Sequence, residues 1–151
     1  MKAISVKQPY ASMIANGIKT IETRRWNTRY RGDLLIVSSA RPDFKDPEMP
    51  VSRALAVVTL ADCRIMTEDD QRAACCEIYP KAKAWVLTNI RRIKPFYVKG
   101  SQGFYDSVEY ELSQTNVLQV TRVCRGCGCT DGRACPGGCH WVEADLCSQC
   151  V

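Results

Sequence analysis

Seven of the ten cysteines of this 151-residue chain lie in its last 28 residues, and this clustering limits how that segment can fold. Disulfide frameworks of small secreted domains usually extend over the whole chain. Here the cysteines sit at one end, and the start of the sequence lacks the apolar region of a signal peptide. A segment this short cannot bury a core, so a bound metal is its expected source of stability. We predict a cytoplasmic protein with a larger domain at 1–122 and a Cys-rich metal-binding module at 123–151.

The spacing of the cysteines predicts a zinc site. Cys124 and Cys127 form one Cys-x2-Cys pair, and Cys147 and Cys150 form another, with 19 residues between the pairs. Two such pairs fit two knuckles that close on one tetrahedral zinc ion. Because four thiolates leave no open position on the metal, the expected role of this zinc is structural rather than catalytic.

The other metal-binding side chains of the segment leave several arrangements open. These further candidate ligands are Cys129, Cys135, Cys139 and His140. They are compatible with a second zinc site, although Cys139 and His140 are adjacent and make awkward partners for one ion. A disulfide between Cys135 and Cys139, or exchanged ligand pairs around the first zinc, are alternatives. An iron–sulfur cluster is a weaker one.

Charge and hydropathy favour a soluble domain that binds a polyanion. The chain is 46% hydrophobic and 25% charged, as globular proteins are, and it contains no apolar run of the roughly 20 residues that span a bilayer. Residues 1–123 carry a net charge of +6, and the rest carry −1. Two basic runs, 19–31 and 91–99, indicate a nucleic-acid partner if they meet on one face.

The pattern of apolar residues and turn residues predicts an α+β domain. Pro9 suits the first position of a helix that Gly17 ends, and Thr67 is the expected N-cap of a second helix that runs to Ile78. Short turns between strands favour a small mixed or closed β-sheet with these helices packed on it. The predicted strands are 3–6, 19–27, 34–39, 52–63, 83–93 and an extended segment at 112–123, and the predicted loops are 40–50 and 94–106.

The stretch GIKTIETRRW, residues 17–26, carries an unusual set of charges. In an extended segment the side chains alternate, so Glu22, Arg24 and Trp26 share one face. Lys19 follows the residue that ends the first helix and leans over the same opening. An ionised carboxylate and a guanidinium are buried only as a well-made pair. The spacing alone favours an exposed ion pair beside an anchoring tryptophan over a binding site.

The first 40 residues resemble the ASCH domain, which is named for its homology to activating signal cointegrator 1. The family's Gly-x-Lys-x-x-Glu-x-Arg run corresponds here to Gly17, Lys19, Glu22 and Arg24, after QPYAS and before Trp26 and YRG. The likeness extends over roughly residues 1–120, and KPFYVKGSQGFYD is similar to the segment that closes the domain. It implies a small PUA-like β-barrel flanked by short helices, with a cleft lined by the lysine, glutamate and arginine.

The resemblance also implies binding of RNA, DNA or a modified nucleotide. In that role Lys19 and Arg24 neutralise phosphate, Glu22 accepts from a base or holds Arg24, and Trp26 or Tyr10 stacks on a base. The full set of candidate binding residues is Lys19, Glu22, Arg24, Trp26, Arg31, Tyr10, Arg92 and Lys94.

Two other functions remain as alternatives. A bacterial branch of the family hydrolyses acetylated cytidine with a lysine and a threonine three residues later, and a related branch is described as cleaving RNA. Lys19 matches the lysine, but Glu22 stands where that branch has threonine, so catalysis by Lys19 and Glu22 is the less favoured reading. The cysteine-rich segment resembles modules of bacteriophage proteins, which suggests a phage factor that binds a host or phage protein.

Overall fold

The computed structural model describes residues 1–43, 46–106, 124–129, 135–143 and 146–150. The chain divides into two compact units, Met1–Leu118 and Gln119–Val151. The predicted domain boundary at 122/123 and the predicted extended segment 112–123 lie outside the described residues, and both stay predictions. Among the described residues, no helix has the length and apolarity needed to cross a bilayer. The cytoplasmic location also stays a prediction.

A six-stranded mixed sheet forms the body of the first unit. Its order is β2-β5-β4-β3-β1-β6, in which β1 and β3 are parallel and every other neighbouring pair is antiparallel. The sheet is a half-barrel with two short helices, as expected for an α+β fold of the PUA-like type. The strands are β1 (Lys2–Val6), β2 (Ile21–Arg24), β3 (Gly32–Ser38), β4 (Arg53–Ile65), β5 (Lys83–Tyr97) and β6 (Phe104–Asp106).

Both faces of the central strand β3 are buried, which explains its unbroken apolar sequence. Leu34 and Ile36 point into a cluster that includes Ile14 of helix α1 (Tyr10–Ala15). Leu35 and Val37 point into a second cluster on the other face. Alternation along a strand places successive side chains on opposite faces. A strand that packs against a core on each face therefore has a continuous apolar sequence.

Gly17 ends helix α1 and sets the direction of the next segment. Its φ of +76° is a left-handed conformation that glycine adopts without strain, as the sequence predicts for this position. The amides of Ile18 and Lys19 then both donate to the carbonyl oxygen of Met13, at 2.9 and 3.1 Å. The chain is therefore fixed to the end of α1 up to Lys19. At the other end, the helix begins at Tyr10, one residue after the predicted start.

The structure corrects three predicted boundaries. The second helix comprises a 3-10 turn (Glu68–Asp70) and α2 (Gln71–Ala74), and it ends before Ile78 because Cys75 adopts a left-handed φ of +54°. The segment 94–106 is not a simple loop, since β5 continues to Tyr97 and β6 pairs with β1. Strand β2 is shorter than the predicted 19–27: it begins at Ile21, because the amides of Lys19 and Thr20 donate to Met13 and Ala73 of the two helices, and it ends at Arg24.

The second unit contains a short antiparallel pair, β7 (Trp141–Glu143) and β8 (Leu146–Cys147). Three cysteine side chains, those of Cys124, Cys129 and Cys147, are buried at its centre. Cysteine sulfurs thus occupy the place that apolar side chains occupy in the first unit.

Thr67 caps the 3-10 turn as the sequence predicts, through a network that also includes the end of β4. The carboxylate of Asp70 accepts hydrogen bonds from the Thr67 amide at 2.8 Å and from the Thr67 hydroxyl at 3.1 Å. Arg64 donates to both oxygens of the same carboxylate, at 2.6 and 2.7 Å. The hydrogen bonds from Arg64, more than those from Thr67, hold the pKa of Asp70 well below its usual range.

This network predicts an acid-sensitive contribution to stability. Because folding lowers the pKa of Asp70, its contribution is present above the unfolded value of about 4 and is lost as the pH falls further. Asp70→Asn should therefore lower the free energy of unfolding by about 1–3 kcal/mol at pH 7. Urea unfolding should show this difference shrinking at pH 3. Asp69→Asn, in the same turn but exposed, is the control, and a difference that grows on acidification would contradict the account.

Candidate functional sites

An open cleft lies beside helix α1 and strand β2 in the first unit. Its volume is about 1170 Å3, and its walls include the segments 39–43 and 99–103. Among the described residues, basic side chains outnumber acidic ones five to two along its lining, and four aromatic side chains contribute to it. These lining residues are Lys7, Lys19, Arg24, Arg41, Lys99, Glu22, Asp43, Tyr10, Trp26, Tyr79 and Tyr97.

A buried carboxylate between two cations forms one wall of the cleft. Glu22 Oε2 lies 3.4 Å from Lys19 Nζ, and Glu22 Oε1 lies 3.2 Å from Arg24 Nη2. Lys19 is 2% exposed and Glu22 is 7% exposed. Strand alternation places Glu22 and Arg24 on one face of β2, and the turn after Gly17 brings Lys19 over that face. We call these three side chains the ion triad.

The ammonium group of Lys19 is buried and has three neighbours. Its ammonium group donates to the carbonyl oxygen of Ala74 at 2.5 Å, contacts Glu22, and lies 5.5 Å from the ring centre of Tyr10. Ala74 is the last residue of α2, where carbonyl oxygens lack helical partners. With 2% of the residue exposed, little of this ammonium group is accessible to a ligand in the cleft. Lys19 therefore links α1, β2 and α2.

Arg24, in contrast, retains donors. Its Nη2 donates to the carbonyl oxygen of Ser5 at 2.8 Å and contacts Glu22. Its Nε is buried without a hydrogen-bond partner among the described residues, and the contacts found in this part of the chain involve only Nη2. The side chain is 27% exposed. Since a guanidinium carries five N–H donors, Arg24 can bind an acceptor in the cleft while it keeps its contacts with the protein.

Trp26 is the aromatic side chain of the cleft that is best placed to receive a planar ligand. It is 38% exposed, and it packs edge-on against Trp85 and Phe104 with ring centres 4.6 and 5.3 Å apart. These contacts fix the ring. The three tyrosines of the cleft each have a cation near the ring, as seen in the pairs Tyr10 with Lys19, Tyr79 with Arg25, and Tyr97 with Arg53.

Five of the predicted binding residues line the cleft, and three do not. Arg31 forms an ion pair with Asp62 at 3.1 Å and is absent from the lining. Arg92 and Lys94 lie on β5 and are also absent from it. From the second basic run, Lys99 reaches the cleft. Those in the lining are Lys19, Glu22, Arg24, Trp26 and Tyr10.

Sequence reasoning missed two basic residues of the cleft, Lys7 and Arg41. Lys7 forms an ion pair with Asp43 at 2.6 Å, and the Asp43 amide donates to the carbonyl oxygen of Gln8 at 3.1 Å. These contacts bring the segment 39–43 to the cleft. The segment belongs to a proline-rich loop. Neither Lys7 nor Asp43 belongs to a motif, so their opposite charges were the only feature of the sequence that pointed to the position of this loop.

The four cysteines predicted to bind zinc come together in the second unit. The sulfurs of Cys124, Cys127, Cys147 and Cys150 all lie within 4.8 Å of one another. Such a cluster can bind a metal ion. All the cysteines are free thiols, so the alternative disulfide between Cys135 and Cys139 is not formed.

Hydrogen bonds from backbone amides lower the pKa of one of these thiols. The amide of Cys147 donates to Cys124 Sγ at 3.4 Å, and this bond, with those from the Cys127 and Gly126 amides, lowers the pKa of Cys124 to about 5. Amide hydrogen bonds also lower the pKa values of Cys127 and Cys139. Because the thiolate is the form that binds metals, these amides favour metal binding by Cys124 and Cys127. The hydrogen bond with Cys127 and burial instead raise the pKa of Cys150, the last member of the set.

Comparison with known proteins connects this chain to one family. Residues 4–96 match the family model of the ASCH domain. A stretch of 38 residues is 47% identical to activating signal cointegrator 1 of Homo sapiens, which corresponds to 25% of this chain and only 6% of the cointegrator.

Solved structures show the same fold at low sequence identity. The ASCH protein of Zymomonas mobilis superimposes with a TM-score of 0.55 and 17% identity, over 69% of this chain and 85% of that one. A single-residue variant of that protein gives a TM-score of 0.51 and 15% identity, over 69% and 87% of the two chains.

The ion triad predicts a large effect for a small substitution. Glu22→Gln leaves the buried ammonium group of Lys19 and the partly buried guanidinium of Arg24 without a counter-charge, and this should lower the free energy of unfolding by about 3 kcal/mol. The double variant Lys19→Met/Glu22→Gln should recover part of the loss because it removes one unpaired charge. Urea unfolding checks both results. Glu48→Gln, at an exposed position, is the control, and equal stability of Glu22→Gln and the wild type would contradict the account.

Proposed function

Because this chain belongs to the ASCH domain family, we propose that its cleft binds nucleic acid, as RNA, DNA or a modified nucleotide. The proposal rests mainly on the contacts and the exposure of the Arg24 side chain. This cation is fixed by a buried carboxylate and by the backbone of β1, yet its side chain is 27% exposed in an open cleft, and its contacts among the described residues use only Nη2. A phosphate oxygen is such an acceptor, and arginine contacts it through charge-assisted hydrogen bonds.

The charge of the cleft supports an anionic ligand. The ion triad has two cations for one carboxylate, and Lys7, Arg41 and Lys99 add positive charge around it, against Asp43. This excess of positive charge along the cleft favours an anion over a neutral or cationic ligand.

The size of the cleft and the position of Trp26 support a nucleotide within a longer strand. A volume of about 1170 Å3 exceeds the roughly 300–1,000 Å3 of pockets that enclose small ligands. Trp26 is fixed by its two aromatic neighbours and partly exposed, which suits stacking on an unpaired base. Stacking of this kind contributes about 1–3 kcal/mol for each base.

The hydrolase alternative has less support. Lys19 would have to act as an acid, a base or a nucleophile, but it is 2% exposed, and its ammonium group already contacts the Ala74 carbonyl oxygen, Glu22 and the ring of Tyr10. Glu22 also occupies the position at which the acetylcytidine-hydrolysing branch carries a threonine. In our proposal these two residues position Arg24, and the cleft binds its ligand without cleaving it.

For the cysteine cluster we propose zinc as the metal and a structural role. The ligands are thiolates, which zinc prefers, and four of them fill its coordination sphere. A metal would replace the core that the second unit is too small to form. The phage-factor alternative, with a host or phage protein as partner, has no specific support among the described residues, and failure of the binding test below would favour it.

The proposal predicts which basic residues matter for binding. Arg24→Gln, Arg41→Gln and Trp26→Ala should each weaken binding of a fluorescent single-stranded oligonucleotide by about tenfold, because they remove a phosphate contact or a stacking surface. Fluorescence anisotropy at low salt measures this, and affinity should fall steeply as salt rises.

Lys94→Gln is the matched control for the two charge substitutions. It removes the same charge from an exposed position outside the cleft and should change affinity little. Thermal unfolding establishes that each variant is folded. Absence of binding to RNA and DNA at low salt, or equal effects of Lys94→Gln and Arg41→Gln, would overturn the proposal.

A further inference from the structure

The cysteine cluster of the second unit contains two four-sulfur sets that share two members. Besides the predicted set, the sulfurs of Cys127, Cys129, Cys135 and Cys147 lie within 4.8 Å of one another. Cys127 and Cys147 belong to both sets. No spacing rule for a single zinc site accounts for this overlap, since each mononuclear site uses its own four ligands.

The distances around the shared sulfurs are those of metal coordination. Cys127 Sγ lies 3.7 Å from Cys147 Sγ and 3.4 Å from Cys135 Sγ, and Cys135 Sγ lies 3.9 Å from Cys147 Sγ. With metal–sulfur bonds of about 2.3 Å, the sulfurs of a tetrahedral site are separated by roughly 3.8 Å. Three of the sulfurs of the second set, those of Cys127, Cys135 and Cys147, therefore lie at the separations that a tetrahedral ion requires, and Cys129 Sγ lies within 4.8 Å of each of them.

The turn between Cys124 and Cys127 is shaped for this close packing of sulfurs. A Cβ atom on Gly126 would lie 2.8 Å from both Cβ and Sγ of Cys150, a distance at which the two atoms clash. Gly128 follows with a φ of +75°. The two glycines allow Cys150 to approach from one side while the chain reverses behind Cys127.

We propose that the second unit binds two zinc ions in one cluster, with Cys127 and Cys147 as bridging thiolates. Cys124 and Cys150 complete the coordination of the first ion, and Cys129 with Cys135 completes that of the second. This deepens the proposed zinc site, on which it rests. The number of cysteines favours shared ligands, because two separate four-thiolate sites need eight cysteines and the segment has seven. A bridged cluster also brings six thiolates together instead of eight, so less negative charge is confined in a small volume.

Two neighbouring candidates stay outside the cluster. Cys139 Sγ lies 3.7 Å from Cys129 Sγ and accepts a hydrogen bond from the Cys135 amide, but it belongs to neither four-sulfur set. His140 is exposed, and its backbone exchanges hydrogen bonds with Ser148. Two separate four-ligand sites would need all seven cysteines of the segment and His140. Substitution of Cys139 or His140 therefore removes a ligand from separate sites but not from a bridged cluster.

Native mass spectrometry and elemental analysis of the full chain test the stoichiometry. We expect two zinc ions per chain, two in Cys139→Ser and His140→Ala, one in Cys129→Ser, and none in Cys127→Ser. One zinc per chain in the wild type would overturn the bridged cluster while leaving the single structural zinc in place. Absence of metal, or iron instead of zinc, would overturn both. Two zinc ions of which one is lost in Cys139→Ser or His140→Ala would indicate separate sites.

X-ray absorption at the zinc edge tests the bridge in the wild-type protein and needs no variant to fold. Two tetrahedra that share an edge place their metals roughly 3 Å apart, given metal–sulfur bonds of about 2.3 Å. We expect four sulfur neighbours for each zinc and scattering from a second zinc at that distance. Two zinc ions per chain without this metal–metal scattering would overturn the proposal.

Discussion

The carboxylate of Glu22, buried between the cations of Lys19 and Arg24, is the interaction on which the geometry of the cleft depends. Removing such groups from water costs several kcal/mol for each ion, and their mutual attraction returns that cost only when the geometry is good. The triad therefore adds little net stability. Its effect is positional, because it fixes the guanidinium of Arg24 in one orientation at the edge of the cleft.

The two cations of the triad donate to the backbone of two other elements, and the strand that carries Glu22 pairs with a third. Lys19 donates to Ala74 at the end of α2, Arg24 donates to Ser5 of β1, and Glu22 lies opposite Trp85 in the β2–β5 pair. The elements around the cleft are thus joined through one group of charges. The cysteine cluster has a comparable position in the second unit, where sulfurs rather than apolar side chains occupy the centre.

Local patterns predicted the parts of this protein that depend on short-range geometry. Strand alternation placed Glu22 and Arg24 on one face, Gly17 marked the end of α1, and the two Cys-x2-Cys pairs identified four neighbouring sulfurs. Contacts between distant segments could not be predicted in this way. The segment 39–43 reaches the cleft through one ion pair, and a cysteine in a left-handed conformation ended α2 where glycine is usual. Such features depend on tertiary contacts, which no single-sequence rule encodes.

The central claim is that a ligand is bound by Arg24 and Trp26 in the cleft. A nuclear magnetic resonance titration of the isotopically labelled full chain with a short single-stranded RNA tests it most directly, by following the Nε–H signals of these two side chains. We predict that both signals shift with the same dissociation constant and that the amides of 39–43 and 99–103 shift with them. Shifts confined to β5 around Arg92 and Lys94, or to the cysteine segment, would contradict the account.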